Sequence, residues 1–245
     1  VSSCGKDDDN GGGSTSLTGD WYYHTIYGDY SGKGKDIRWI IPDNCTKQSY
    51  TSFSDTQIKL EWYRTEGSEC KYTPMYYNYT LSNGEINMTA ANNSPNGTKG
   101  QKINSYKYEI KGKELILRFT GNLGFQETNI LHKKGEDYSY LDPLVGVWEL
   151  TKIEAGGTNY PAGTPACFTG YIVASSIGFS LYYTLPANST QCQAGKVESY
   201  DYVKEGDKYY NVSNGQKVPI PFSFSNNNRA LTLSLGGTTM FFQKQ

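Results

Sequence analysis

Leu17-Thr18-Gly19-Asp20-Trp21 returns as Leu144-Val145-Gly146-Val147-Trp148, and two cysteines follow each copy of this Leu-x-Gly-x-Trp phrase. They are Cys45 and Cys70 after the first copy, Cys167 and Cys192 after the second, 25 positions apart in both. The chain is an internal duplication, and a repeat sets the architecture before any single element does. Its 245 residues give two domains of ordinary size, each long enough to bury a core. The expected division is a leading segment 1–16, a first domain 17–134, a linker 135–143 marked by Asp142-Pro143, and a second domain 144–245.

Both copies read as strands. Apolar, β-branched and aromatic residues alternate with polar ones over short stretches bounded by turn residues. The second copy gives about eight strands, near 144–153, 166–174, 177–185, 191–203, 207–212, 216–224, 229–235 and 238–244. Leu231-Thr232-Leu233-Ser234-Leu235, then Gly236-Gly237, then Thr238 to Phe242, is a hairpin signature. The matching hairpin of the first copy runs from Leu115 to Lys134, and Ile58, Leu60 and Trp62 share one face of another strand. The first copy also has an insertion near 31–35 and a polar loop at 92–100, read as surface variation or as contact loops. Eight meandering strands close most naturally into a barrel, which removes the sheet edges. The fold class expected is therefore all-β: two tandem up-and-down antiparallel β-barrels, about eight strands each, with one disulfide per barrel. A pair of β-sandwiches is the alternative.

The matched spacing pairs Cys45 with Cys70 and Cys167 with Cys192, joining the strand after the Trp-bearing one to a strand two further along, and leaves Cys4 over. A zinc site is the rival, but neither domain has close-spaced Cys and His ligands. Disulfides imply an oxidising compartment.

A formal charge of -1 with scattered basic residues gives no footprint for nucleic acid. No run of eighteen apolar residues is present to make a membrane-crossing helix. No Gly-x-Ser-x-Gly elbow occurs, and the cysteines are consumed by bridges. The two histidines, His24 and His132, correspond to Thr151 and Gln243 of the second copy and read as ordinary barrel-end residues without metal-ligand spacing. Glu66 with Glu69 and Glu205 with Asp207 read as solvated loop charges. No catalysis, cofactor or metal is expected.

Val1-Ser2-Ser3-Cys4 resembles a bacterial lipobox, and Lys6-Asp7-Asp8-Asp9 after it resembles the surface-export signal of bacteroidete-type lipoproteins. This resemblance implies a preceding signal peptide and acyl chains on Cys4. It also implies a membrane partner through that anchor, at the outer face of the outer membrane, with Gly11 to Ser16 as a tether. Gly19 with Trp21, and Gly146 with Trp148, resemble the Gly-x-Trp motif of the lipocalin superfamily. The closest likeness is to the short lipocalin-like domains of bacteroidete lipoproteins, over roughly 17–134 and 144–245. It implies that Trp21 and Trp148 pack across the closed end of each barrel as structural residues. Many lipocalins place an arginine over that ring; here the last strands offer Lys133 or Lys134, and Lys244.

Three binding roles fit a monomer of this kind. A small apolar ligand could lie in a barrel, with Trp39, Trp62, Tyr77 and Tyr79 of the first copy, which are absent as such from the second, as the candidate ligand-binding residues. A glycan could stack on Tyr72 to Tyr79, or the loops at one barrel end could engage a protein, for example as a protease inhibitor.

Overall fold

The computed structural model describes residues 16–94 and 97–245. Cys4 and the other residues of 1–15 lie outside the described residues, as do two positions of the polar loop at 92–100. The chain forms two compact units.

The first unit is built on a nine-stranded antiparallel sheet. Its strands are β1 (Gly19–Asp29), β2 (Ile37–Ile40), β3 (Tyr50–Phe53), β4 (Gln57–Glu66), β5 (Glu69–Ser82), β6 (Glu85–Ala90), β7 (Lys102–Lys111), β8 (Glu114–Thr120) and β9 (Gln126–Lys133). Apart from β2, each strand from β3 pairs with the next in sequence, and β9 returns to pair with β1. β1 and β3 to β9 thus close into an up-and-down barrel, while β2 lies outside that ring and pairs with β1 alone among the described strands. Strand alternation puts Trp21, Tyr23, Ile58, Ile86, Met88, Leu115 and Leu117 inward, and all of them are buried.

The second unit carries β10 (Gly146–Ala155), β11 (Thr158–Pro161), β12 (Gly170–Ala174), β13 (Gly178–Tyr183), β14 (Lys196–Glu205), β15 (Lys208–Ser213), β16 (Gln216–Ile220), β17 (Phe222–Ser225), β18 (Ala230–Leu235) and β19 (Thr238–Lys244). The stretch 216–224, expected as one strand, is divided at Pro221. Proline has no N–H to give a ladder. The first half pairs with β15 and the second with β18, so the sheet path begins and ends on one bent segment. β11 is a short addition that pairs with β10 and has no counterpart in the sequence reading. The closing hairpin turns on Gly236 and Gly237, at φ 55° and 80°. Two successive positive φ values are what a tight hairpin of right-twisted strands requires.

The duplicated phrase does the same work in both units. Each indole N–H donates to the carbonyl four residues back, Trp21 to Leu17 at 2.7 Å and Trp148 to Leu144 at 2.8 Å. A lysine from the last strand covers each ring: Lys133 Nζ lies 4.6 Å from the Trp21 centroid and Lys244 Nζ 5.2 Å from that of Trp148. Those ammonium groups donate onward to Thr18 O at 3.0 Å and Pro143 O at 2.7 Å. Glycine two residues before the tryptophan is favoured by the backbone: Gly19 and Gly146 adopt φ of 116° and 131°, which strains any side chain, and at Gly146 a Cβ would also sit tightly, 3.3 Å from the Lys244 stem. A lysine from the last strand thus covers the tryptophan in both units.

Both expected disulfides are present, Cys45–Cys70 and Cys167–Cys192. They differ from expectation in what they join. Cys70 lies in β5, but Cys45, Cys167 and Cys192 lie in loops, so the second bond ties two loops together.

The compact units each draw on separated stretches of chain: Thr25–Ile41 and Asn122–Glu127 gather with the second unit, and 135–138 with the first. The cause is burial. β1 runs on past His24 into an arm closed by β2, and the insertion at 31–35 is its tip. Asp29 organises that tip, accepting from Ser31 Oγ at 2.7 Å and Ser31 N at 3.1 Å. Arg38 is buried against Asp36 at 3.0 Å, donates to the Tyr171 hydroxyl and lies over the rings of Tyr30 and Tyr182. The Trp39 N–H donates to Ser180 Oγ at 2.8 Å, and its ring covers Gly178 so closely that a Cβ there would reach Nε1 at 2.6 Å.

Candidate ligand-binding site

Inward positions of the second unit form an apolar core of Leu144, Trp148, Leu150, Phe179, Leu231, Leu233 and Phe242, all buried. Away from Trp148 that core gives way to a cavity of about 580 Å³. Ile153 and Ala155 at the end of β10, Leu181 and Tyr183 of β13, and Leu235 and Met240 of the β18–β19 hairpin form its strand walls. Phe168, Leu185, Pro186 and Gln193 complete it from loops. The Cys167–Cys192 bond ties those loops together: Cys167 adjoins Phe168, and Cys192 adjoins Gln193. Small-molecule sites are commonly about 300–1,000 Å³, mainly apolar, with a few placed polar groups. This cavity fits that description.

Glu198 is the one charged residue among the lining side chains. Its Oε2 accepts a hydrogen bond from Tyr200 Oη at 2.7 Å. Burial, then the Glu198 carboxylate, pushes the Tyr200 phenol up to about 12, and the same two causes raise Tyr183. Both phenols therefore stay protonated donors beside a carboxylate that has acceptor capacity for a ligand. Gln193 and Thr238 add polar groups to the same wall.

The residues singled out in the sequence fall elsewhere. Tyr77 borders a void of about 20 Å³ at the centre of the first barrel, which is room for about one water. Tyr23 fills the adjacent lumen; its hydroxyl lies 3.2 Å from Thr51 Oγ1, and burial drives its pKa up to about 12. Trp62 packs edge-on to Tyr23 at 5.4 Å between centroids, and Tyr77 Oη reaches Met75 Sδ at 3.3 Å. Tyr79 packs edge-on to Phe53 and donates to Ser54 O at 2.6 Å. The structure thus brings Trp62, Tyr77 and Tyr79 to one face of the sheet, with Trp62 and Tyr77 packed toward the interior and the Tyr79 hydroxyl in a more exposed position. Trp39 is not with them; it is sealed against β13 in the second unit.

Leu185, Gln193, Glu198 and Leu235 were missed. Only the alternation of β13 and the closing hairpin hinted that Leu181 and Met240 point inward.

Residues 17–117 match the family model of the lipocalin-like domain. No curated protein and no solved structure matches the chain. The matched stretch contains the first Leu-x-Gly-x-Trp phrase and the first disulfide, and the second unit repeats both in a barrel-like sheet. A lipocalin-like barrel is a fold suited to holding a ligand.

Proposed function

We propose that the protein is a non-enzymatic binding protein that takes a small, largely apolar ligand in the mouth of the second barrel. The cavity of about 580 Å³ lined by aliphatic and aromatic side chains carries this proposal. Glu198 at its wall favours ligands with a hydrogen-bond donor or a positive charge at one end. Leu235, at the rim and 45% exposed, can be changed without touching the core. N-phenyl-1-naphthylamine, an apolar fluorophore with one N–H, should bind saturably at one site per chain. Leu235→Arg should weaken that binding at least about tenfold, because a charge at an apolar site loses more than 1.4 kcal/mol. Equal binding by both proteins, or none by the parent, would remove the assignment.

The lipobox-like Val1-Ser2-Ser3-Cys4 and the two disulfides support a lipoprotein held at the outer membrane surface by acyl chains on Cys4. Expressed in its own envelope, Cys4→Ser should move the protein from the membrane fraction to the soluble one. Retention of the variant in the membrane would refute the anchor.

One observation supports glycan binding as a second role. Tyr72 and Tyr76 on the outer face of β5 are 47% and 37% exposed, and Tyr63 lies 4.9 Å from Tyr72 between centroids. Such exposed rings offer a stacking surface for sugars.

A further inference from the structure

His24 and His132, which lack ligand spacing in the sequence, are brought together by the seam that closes the first barrel. On β1, Trp21 and Tyr23 point inward, so His24 points outward. On β9, Asn129 borders the inner void, so His132 is outward too. On the neighbouring β8, Leu115 and Leu117 are inward and Glu114 outward. Those three side chains meet on the outer face. His132 Nε2 lies 2.6 Å from Glu114 Oε2, and the His24 and His132 rings stack at 4.0 Å. Tyr138 stacks on the other side of His132 at 3.8 Å, held by its hydroxyl accepting from Lys133 N at 2.7 Å. One ligand atom from each of the three residues lies within 4.8 Å of the others.

Glu114 is only 1% exposed although it faces away from the lumen. A carboxylate is rarely buried so fully unless a cation or strong donors compensate. The second repeat serves as an internal control. Aligning Trp21 with Trp148, Leu115 with Leu231 and Lys133 with Lys244 places Thr151, Ala230 and Gln243 at the three positions. That barrel has the same tryptophan–lysine closure without any of them. Closing the fold does not require two imidazoles and a carboxylate, and all three occur together in one copy.

We propose that His24, Glu114 and His132 form a binding site for a divalent first-row transition metal of zinc-like preference. Two imidazoles and a carboxylate are ligands that zinc accepts, and a three-residue set leaves a fourth position open. Ligands about 2.0–2.2 Å from a tetrahedral ion stand ~3.3 Å apart. The present spread of up to 4.8 Å must therefore close. Capture requires the stacked histidine rings to splay, so that their in-plane lone pairs converge. As the metal enters, the hydrogen bond between His132 Nε2 and Glu114 gives way to bonds from both groups to the ion, with the imidazole remaining neutral and its N–H on Nδ1. The bound ion would bridge β1, β8 and β9 across the barrel seam.

The test is calorimetric titration of the chelator-washed full-length protein with Zn²⁺, with native mass spectrometry to count ions. His24→Thr and His132→Gln install the residues that the other repeat carries at the same places, so both variants should fold; circular dichroism checks this. The parent should bind one Zn²⁺ per chain, and each variant should bind at least the ~10-fold more weakly that loss of even an outer-sphere partner brings. Substituting Co²⁺ should give visible ligand-field absorption in the parent only. The site is overturned if the parent takes up no stoichiometric Zn²⁺. It is also overturned if either folded variant binds as the parent does, since the ion would then lie elsewhere.

Discussion

Trp148→Ala should lower the stability of the second unit by about 3–5 kcal/mol, the range for truncating a large buried aromatic. The ring is fully buried at the start of β10, opposite Ile172, in the core that also holds Leu144 and Phe242, with Phe224 at 5.8 Å. Its removal leaves a hole that the strands cannot close, because β10 is held by β12 on one side and β19 on the other. Two further interactions go with it. The Leu144 carbonyl loses the indole N–H, and the Lys244 ammonium loses the ring it covers. Urea unfolding followed by near-ultraviolet dichroism would measure the loss. A variant that unfolds with the parent's midpoint would show that the tryptophan–lysine closure does not hold the barrel.

The second large effect concerns the disulfides. Each closes a loop of 25 residues, which in the chain-entropy model stabilises the fold by about 3 kcal/mol. Because each bond lies within its own unit, Cys45→Ser/Cys70→Ser should lower the melting of one unit and Cys167→Ser/Cys192→Ser that of the other. The two double variants should differ in ligand binding as well. The Cys167–Cys192 bond adjoins Phe168 and Gln193 in the cavity wall, so its loss should weaken fluorophore binding while loss of Cys45–Cys70 leaves it unchanged. Identical melting of both variants and the parent would show that the bonds add no stability. Equal fluorophore binding by the two variants would separate the loops from the site.

Local signals in the sequence carried much of the fold. The repeated phrase with matched cysteines marked two like domains and their bridges, and period-two alternation marked strands such as Leu231 to Leu235. That a last-strand lysine lies over each tryptophan was visible too, although the sequence left Lys133 and Lys134 as alternatives until the structure put Lys133 over Trp21. Other features depend on distant contacts. Nothing local says that Arg38 and Trp39 bury themselves against β12 and β13, because an arm reads like any hairpin until its partner is known. The bend at Pro221 was concealed by the alternation continuing through it.

The site was the least legible part. Alternation tells which side chains face inward, but not whether their summed volume fills the lumen. The first copy has rings that the second lacks as such, and these drew attention to Trp62, Tyr77 and Tyr79. In the structure Tyr23, Trp62 and Tyr77 occupy the interior they line, while the second copy keeps its mouth open. Leu185 and Gln193, read in the sequence as parts of strands 177–185 and 191–203, lie in loops beyond β13 and before β14, so their place in a wall depends on the disulfide that fixes them. His24, Glu114 and His132 lie on three strands and could meet only once β9 was paired with β1.

The most direct measurement of the central claim is native mass spectrometry of the full chain after exposure to an envelope lipid extract, beside Leu235→Arg treated alike. The expected result is one small molecule retained per parent chain, lost on unfolding, and not retained by the variant. A bare parent mass, or equal retention by both proteins, would contradict a ligand site in the mouth of the second barrel.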